Sequence, residues 1–189
     1  VYVNQAKVST ANISADNGIL HIIDAVVLPV ETVVDLAIDN GFSTLAAAAV
    51  KAELLPSLTD PFATLTVFAP TNAAFDDLAE ELDVSVSDLL DLPNLADLLT
   101  YHVLGTEVGS NAITNGAIVQ PLSTTNSLKL TLKSNGNVFV NHAQVTNADI
   151  LADNGVVHVL NKVVLPIETV VDIAVSYTHL RAHETEAEL

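Results

Sequence analysis

The chain has 189 residues, half of them hydrophobic, and carries a formal net charge of −17 from 23 acidic and 6 basic residues. So acidic a chain repels phosphate backbones, which argues against nucleic acid as a partner. The absence of cysteine excludes disulfides, thiolate catalysis and cysteine-ligated zinc sites. Because tryptophan and methionine are also absent, we expect a core of Val, Leu, Ile and Ala whose few large side chains are Phe62, Phe68, Phe75 and Tyr101.

The beginning of the chain is repeated later in the sequence. Residues 1–37 align without a gap with residues 138–174, at an offset of 137, and about 22 of the 37 aligned positions are identical. This period is far longer than the roughly 20–50 residues of solenoid repeats, so each unit is expected to be a whole domain. We therefore interpret the chain as the C-terminal remnant of a preceding unit (1–29), a complete domain (30–168) and the start of a truncated following unit (169–174).

Helices are predicted in the first part of the complete unit, where apolar residues recur at helical spacing. The predicted segments run from Val33 to a stop at Asn40-Gly41, and then over 45–55, 75–82, 86–90 and 95–103. Pro56 is expected to end the second of them. The acidic side of the third predicted helix, at residues 76–83, is interpreted as a solvated face, with a cation-bridged contact between neighbouring molecules as the alternative.

Strands are predicted mainly in the second half of the unit. A β-branched segment over 64–69 predicts a buried strand, after which Pro70-Thr71-Asn72 supplies a turn and a helix N-cap. Further short strands, separated by turns at Asn115-Gly116 and Asn135-Gly136, are predicted over 117–122, 127–132, 137–140, 144–146 and 156–164. Helices followed by a mainly antiparallel sheet indicate the α+β class.

The last residues of the chain do not continue the repeat. The match to the first copy stops after Ala174, and residues 175–189 resemble a translated sequencing-library adapter. We interpret this tail as an artefact and leave it out of the fold and the function.

Three separate stretches resemble signature segments of the fasciclin domain family. They are TVFAPTNAAFDDL at residues 66–78, LTYHVL at 99–104 and NGVVHVLNKVVLP at 154–166. Their order, their spacing and the period of 137 residues also fit this family. The resemblance implies a fasciclin-like β-wedge or sandwich of mainly antiparallel strands flanked by N-terminal helices. It further implies an extracellular, cell-surface or periplasmic setting, in a matrix or biofilm, and a role in adhesion.

The candidate functional residues are the hallmark positions of these stretches, for which we predict structural roles with a possible part in adhesion. They are Thr66, Phe68, Pro70, Thr71, Asn72, Phe75, Tyr101, His102, Asn154, Gly155, His158, Leu165 and Pro166. Asn72 is expected to be a cap or turn residue. His158 and its repeat mate His21 are expected to be satisfied histidines of a core or sheet face.

His102 is the most conspicuous polar candidate. One interpretation is a catalytic base or a ligand. The favoured interpretation is a partly buried histidine that bonds the backbone near Pro70–Asn72, with Tyr101 packed beside it. No serine or cysteine nucleophile motif accompanies this histidine, which argues against a catalytic triad.

Catalytic signatures are missing from the sequence. It contains no GxSxG, HExxH, P-loop or dinucleotide fingerprint, so we predict that the protein is not an enzyme and needs no cofactor. Asp149, Asp153 and Asn154-Gly155 suggest calcium only as an alternative, because the ligand order of an EF-hand is absent. We therefore predict no metal site.

The resemblance and the repetition lead to a functional hypothesis. We expect an adhesion or binding module of a tandem fasciclin-repeat protein outside the cell, since repetition raises avidity. The expected partners are extracellular proteins, glycans or matrix components, and neighbouring fasciclin repeats. The alternative is a carrier of an apolar small molecule such as a pigment or lipid. The longest apolar run, residues 19–30, is too short and too interrupted to span a membrane.

Overall fold

The computed structural model of the protein describes residues 1–4, 6–123 and 126–166. The predicted following unit at 169–174, the adapter-like tail at 175–189 and the last two residues of the predicted domain lie outside the described residues. The chain begins with three antiparallel strands, β1 (Tyr2–Val3), β2 (Ala6–Ala15) and β3 (Gly18–Ile23). We call these three strands the N-terminal sheet.

Six α-helices follow between residues 33 and 100. They are α1 (Val33–Asp39), α2 (Ser43–Lys51), α3 (Leu55–Leu58), α4 (Asn72–Glu81), α5 (Val86–Leu90) and α6 (Leu95–Thr100). Three of these helices begin with a hydroxyl side chain that accepts a hydrogen bond from a backbone N–H of the first turn, supplied by Thr32, Thr71 and Ser85. A short 3₁₀ helix, Ser110–Ala112, follows later.

The remaining strands form a seven-stranded sheet. They are β4 (Leu65–Pro70), β5 (Val103–Leu104), β6 (Ile118–Val119), β7 (Leu128–Leu132), β8 (Val138–Val140), β9 (Ala143–Ala152) and β10 (Gly155–Leu160). Their order across the sheet is β5-β4-β10-β9-β8-β7-β6. Adjacent strands pair antiparallel except for β4 and β10, which are parallel. The α+β class and the mainly antiparallel sheet are therefore confirmed.

The core lies on both faces of two adjacent inner strands, β4 and β10, which we call the central strands because both of their faces are covered. Successive side chains of a strand point to opposite faces of a sheet. Val67 and Val157 accordingly pack against the helices, together with Phe75 of α4. Phe68 and Leu160 pack on the other side, where β7 and β8 supply the apolar partners. Every residue of both central strands is buried.

The N-terminal sheet has the same internal structure as β8–β10. The pairs Val8↔Ile23, Ile13↔Leu20 and Ala15↔Gly18 correspond, at the offset of 137, to the pairs that join β9 to β10. Both copies shift register at the same places. The left-handed residues are matched as well, since Asn12 has a φ of 57° and Asp149 a φ of 58°. The sequence repeat is thus also a repeat of backbone geometry.

Several predicted helix boundaries are wrong. The helix predicted over 45–55 ends at Lys51, and Pro56 lies in the first turn of the separate helix α3, where a missing N–H costs little. The helix predicted to reach Val103 ends at Thr100, because Val103 starts the strand β5. The helix predicted to reach Leu82 ends at Glu81, and Leu82 is its half-exposed C-cap.

The predicted strands are present, but their lengths differ. β9 covers ten residues, whereas the sequence predicted only 144–146. β10 ends at Leu160, and Val163 and Val164 are buried in a segment beyond it. Phe62 was expected in the core and is instead 92% exposed in the loop between α3 and β4.

Candidate functional site

The predicted site residues meet at the two central strands. Thr66 and Phe68 lie on β4, and His158 lies on the neighbouring strand β10 directly opposite Phe68. The rings of Phe68 and His158 stack with their centroids 5.7 Å apart. All three side chains are buried, so this part of the candidate site is inside the protein.

Thr66 and His158 hold the same loop. The Thr66 hydroxyl donates to the carbonyl of Thr106 at 2.7 Å and accepts from the N–H of Val108 at 2.8 Å. His158 Nε2 donates to the carbonyl of Val108 at 2.8 Å, while its Nδ1 accepts from the N–H of Asp149 at 3.2 Å. Since a carbonyl only accepts and an N–H only donates, these partners fix the ring as the neutral Nε2–H tautomer. The prediction of a satisfied core histidine is confirmed for His158.

His102 ties the end of the domain to helix α6. Its Nδ1 donates to the carbonyl of Leu98 at 2.7 Å, and its Nε2 accepts from the N–H of Val164 at 2.8 Å. The predicted bond to the backbone near Pro70–Asn72 is wrong for this side chain. The ring is fully buried, and this burial lowers the pKa of His102 to about 4, although the bond to Leu98 acts in the opposite direction. The ring is therefore neutral at neutral pH.

Tyr101 is buried beside His102 and closes a second connection. Its hydroxyl donates to the carbonyl of Ser127 at 3.0 Å and accepts from the side-chain amide of Asn141 at 3.1 Å. Burial raises the pKa of the Tyr101 phenol, and the Asn141 bond partly offsets this effect. Tyr101 thus joins the helical half of the domain to the turn between β8 and β9.

Asn154 satisfies three backbone groups at once. Its Oδ1 accepts from the N–H of Val33 at 2.9 Å, and its Nδ2 donates to the carbonyls of Leu58 and Asp60 at 2.9 Å and 3.0 Å. The next residue, Gly155, passes so close to β4 that a Cβ atom would lie 2.1 Å from the carbonyl oxygen of Leu65. The Asn-Gly pair therefore fastens the first helix and the α3–β4 loop to the start of β10.

Thr71 and Asn72 cap two different helices. Thr71 is the N-cap of α4, the helix that follows it directly. Asn72 instead reaches across to α2, where its Oδ1 accepts from the N–H of Thr44 at 3.1 Å and its Nδ2 donates to the carbonyl of Gly41 at 3.0 Å. Asn72 therefore does not cap the helix that follows it, and its side chain bonds the start of a helix that begins 29 residues earlier in the sequence.

The other hallmark residues are mainly packing residues. Phe75 is buried under α4, and Pro70 ends β4 beneath the N-cap of that helix. Leu165 and Pro166 are exposed at the end of the described chain. These positions therefore divide into a buried group around the central strands and an exposed pair at the end of the domain.

Sequence reasoning did not anticipate that Asn141 and Asp149 support these residues, through bonds to Tyr101 and His158. Asn141 and Asp149 adopt positive φ angles of 53° and 58°. The Asp149 carboxylate also accepts from both the N–H and the hydroxyl of Ser110, and the hydroxyl bond is the main reason why the pKa of Asp149 is lowered. Asn and Asp are the residues that tolerate left-handed backbone best, so their place between alternating apolar residues was a usable signal.

The site has little scope for chemistry. Both ring nitrogens of His102 and of His158 are used in hydrogen bonds to the backbone, which leaves neither ring free to act as a base or to ligate a metal. Over residues 1–4, 6–123 and 126–166, no cluster of three or more His, Asp or Glu side chains forms that could hold a metal ion. Within the same residues, every buried side-chain nitrogen or oxygen has a partner. The hallmark polar groups hold the fold together.

An apolar cavity of about 40 Å³ lies next to His102. It is lined almost entirely by apolar atoms from α1, α2, α3 and α6, together with Val67 and Val103. A space of this size is far below the roughly 300–1,000 Å³ of typical small-molecule sites. The cavity is best described as a packing defect between the helices and the sheet.

Comparison with known proteins identifies the fold family. The sequence profile of the fasciclin domain matches residues 1–29 and residues 40–166. The chain belongs to the fasciclin domain family. Both halves of the internal repeat therefore match the fasciclin profile, and the resemblance drawn from the three signature stretches is confirmed.

Several fasciclin relatives are similar over most of this chain. "Protein sll1483" of Synechocystis sp. is 37% identical over 142 residues, which cover 71% of this chain and 73% of that protein. Transforming growth factor-beta-induced protein ig-h3 of Oryctolagus cuniculus is 32% identical over 88% of this chain, and human periostin is 31% identical over 88%. This fasciclin chain spans only 24% and 20%, respectively, of those two longer proteins.

A solved structure shows the same fold. The FAS1 domain pair from the insect cell adhesion molecule Fasciclin I matches 89% of this chain and 61% of its own, with a TM-score of 0.59 and 19% sequence identity. The fasciclin-like α+β architecture predicted from the sequence is therefore confirmed.

Proposed function

We propose that this chain is a non-catalytic adhesion or binding module that works outside the cell. The observation that carries the proposal is the use of both ring nitrogens of His102 and His158 in internal hydrogen bonds. Side chains whose polar atoms are all engaged in internal hydrogen bonds support a surface and do not transform a substrate. The relation to a structure from a cell adhesion molecule points to the same function.

The exposed surface suits a binding partner more than a reaction. Asp76, Asp77, Glu80 and Glu81 line the outer side of α4, and the charge of −17 is spread over a chain with 6 basic residues. Extracellular proteins, glycans and matrix components are the proposed partners, together with neighbouring fasciclin repeats. The like charge of nucleic acid and of sulfated polysaccharides disfavours them. A cation bridge between acidic helices of neighbouring molecules is compatible with this surface.

The proposed setting is extracellular, at the cell surface or in the periplasm. Among the described residues, no helix has the length and apolar character needed to cross a bilayer. We also propose that residues 30–168 form one complete repeat of a tandem fasciclin protein, to which residues 1–29 add the C-terminal strands of another. The matched register of the two sets of strands supports this organisation.

The alternative function, a carrier of a pigment or lipid, gains no support from the apolar cavity. At about 40 Å³ this cavity is far smaller than a typical small-molecule site. A coloured or lipid-loaded protein on purification is the observation that would favour the carrier.

Adhesion can be tested with beads coated with the protein. We expect the coated beads to cluster or to be retained on immobilised matrix proteins or glycans, because many copies on one bead convert weak contacts into avid ones. Beads coated with an unrelated acidic protein of similar charge are the control. The measurement is made with calcium and with a chelator, and beads that stay inert under both conditions contradict the proposal.

A further inference from the structure

The two copies of the repeated strands differ in what covers them. Ile19 and Leu20 of β3 are 66% and 57% exposed, whereas their counterparts Val156 and Val157 of β10 are 0% and 1% exposed. β3 has its apolar side chains on both faces, as a central strand of a sheet does. It pairs on one edge with β2, and the described residues supply no strand for the other edge.

The second copy shows what fits against such strands. The free edge of β10 pairs in parallel with β4, with Val157 beside Val67. Helices cover one face and β7 the other. We call this covering part, from α1 through β7, the α1–β7 body.

The N-terminal sheet has the same residues with which β8–β10 contact the α1–β7 body. Asn17, Gly18 and His21 stand at the positions of Asn154, Gly155 and His158. His21 already makes the matching internal bond, since its Nδ1 accepts from the N–H of Asn12 at 3.2 Å. A Cβ on Gly18 would meet nothing within 4 Å. The close approach that requires glycine is therefore absent at Gly18 and present at Gly155.

From this match we propose that the N-terminal sheet docks on the α1–β7 body of a second copy of this chain, in the place that β8–β10 occupy in the first. β3 then pairs in parallel with β4 of the second copy, with Leu20 beside Val67. The Oδ1 of Asn17 then accepts from the N–H of Val33 and its Nδ2 donates to the carbonyls of Leu58 and Asp60, as Asn154 does in the first copy. His21 donates to the carbonyl of Val108, as His158 does. The N-terminal sheet then completes the fasciclin fold of the second copy.

The resident strands hold their place in the unmodified protein. Ile19, Leu20 and Ile22 are each one methylene larger than Val156, Val157 and Val159, and a close-packed core tolerates added volume poorly. β8–β10 are also attached directly to the body that they complete. We therefore expect exchange of strands between copies to be rare. It becomes frequent when the resident strands are weakened, or when refolding brings both sets of strands to the α1–β7 body at the same time.

A substitution of one glycine weakens the docking of β8–β10 and leaves the N-terminal sheet unchanged. Gly155→Val places side-chain atoms against the carbonyl of Leu65 and expels β10, while the N-terminal sheet retains Gly18. We expect this variant to form folded dimers or longer chains in size-exclusion chromatography with light scattering. Gly18→Val is the matched control and is expected to stay monomeric with unchanged helix content. The double variant has no competent strands and is expected to lose the fold.

The register of docking is read by cross-linking, because the chain has no cysteine of its own. Leu20→Cys and Val67→Cys are introduced together into the Gly155→Val protein, and the oxidised products are separated without reductant. We expect an intermolecular 20–67 disulfide in at least tenfold greater yield than in the double glycine variant. The same cysteine pair in the otherwise unmodified chain is expected to give linked dimers after refolding from urea, in a yield that rises with protein concentration.

Other outcomes overturn the proposal. A 20–67 disulfide confined to monomers places the N-terminal sheet on its own chain, and a 20–20 disulfide shows edge-to-edge pairing of two β3 strands. Loss of the helical signal in Gly155→Val without 20–67 dimers, combined with concentration-independent refolding of the otherwise unmodified chain, shows that the N-terminal sheet does not complete the body. The bead assay reads adhesion separately, so either result is interpretable without the other.

Discussion

Several buried polar side chains of this domain join segments that lie far apart in the sequence. His102 bonds Val164, and Asn154 bonds Val33, over separations of 62 and 121 residues. A buried polar group costs free energy unless it is hydrogen-bonded, and here each potential donor and acceptor on these side chains has a partner. The hallmark residues therefore hold in place irregular segments that lack regular backbone hydrogen bonding of their own.

The buried ring of His102 makes a specific prediction about pH. Its pKa is about 4 in the folded protein and 6.5 for an ordinary histidine, so the unfolded chain takes up the proton first as the pH falls. The stability contributed by the neutral ring is fully present above pH 6.5 and is lost as the pH falls towards 4. Between about pH 7.5 and about pH 5, the free energy of unfolding should drop by about 2 kcal/mol from this residue.

Urea titrations of the protein and of His102→Gln at these two pH values measure this contribution. The glutamine variant is expected to be less stable at the higher pH and to show a pH dependence smaller by about 2 kcal/mol. The five other histidines are present in both proteins, so their contributions cancel in the comparison. An equal pH dependence of the two proteins would show that His102 does not titrate in the folding reaction.

Sequence reasoning at the level of single residues found the important positions but not their partners. The role of His158 as a hydrogen-bonded histidine of the core followed from its place in a strand. The partners of Asn72 did not follow from its place after Pro70-Thr71, because its side chain bonds the start of α2. The partner of His102 was wrong, because the segment that contains Val164 comes from the other end of the domain and no local pattern connects the two. Phe62 was wrong because its size favours a core, whereas the loop that carries it turns to the surface.

At the level of secondary-structure elements, the sequence predicted where helices begin more accurately than where they end. Thr32, Thr71 and Ser85 cap helices as hydroxyl residues do. Pro56 was predicted to end a helix, but a proline is equally suited to the first turn of a new helix. The sequence alone does not distinguish these two positions. The length of β9 could not be read either, because the left-handed residue Asp149 interrupts its alternation without ending the strand.

The two copies of the strand assembly should differ in local stability. β3 has the same pairing with β2 that β10 has with β9, but it lacks the parallel neighbour and the cover on its two faces. We expect the amides of residues 18–23 to exchange with solvent about a hundredfold faster, or more, than those of residues 155–160. Hydrogen exchange followed by mass spectrometry at low protein concentration measures this difference.

The pairing itself provides the control for the exchange measurement. The backbone hydrogen bonds between β2 and β3 match those between β9 and β10. A difference in exchange rate between the two copies therefore reflects how well each is covered by other elements, and not a difference in hydrogen bonding. Equal protection of the two copies would mean that the N-terminal sheet is stable without a covering body.

At the scale of the whole molecule, the sequence was sufficient for the fold class and the family. The internal period, the three signature stretches and the order of helices before strands all pointed to a fasciclin domain, and the family profile confirms it. The sequence could not show that the seven strands join into one sheet with a single parallel pair among its inner strands. That arrangement depends on β4 and β10, which are about 90 residues apart.

The acidity belongs to the whole surface and not to a site. Among the described residues, Lys51 and Asp91 form an exposed ion pair, and exposed pairs contribute little to stability. The negative charge therefore acts mainly on solubility and on the choice of partner. An adhesive function has to use this surface, whereas the hallmark residues beneath it maintain its shape.

The most direct test of this account measures bead clustering and unfolding stability together in hallmark variants. Asn154→Ala and His102→Gln are compared with Asn17→Ala, a substitution at the exposed position that matches Asn154. We predict that Asn154→Ala lowers the free energy of unfolding by about 2–4 kcal/mol, because it leaves buried backbone groups unsatisfied, and that Asn17→Ala changes it by less than about 0.5 kcal/mol. Clustering per folded molecule should be the same in all of these proteins, and a variant that keeps full stability but loses clustering would contradict the account.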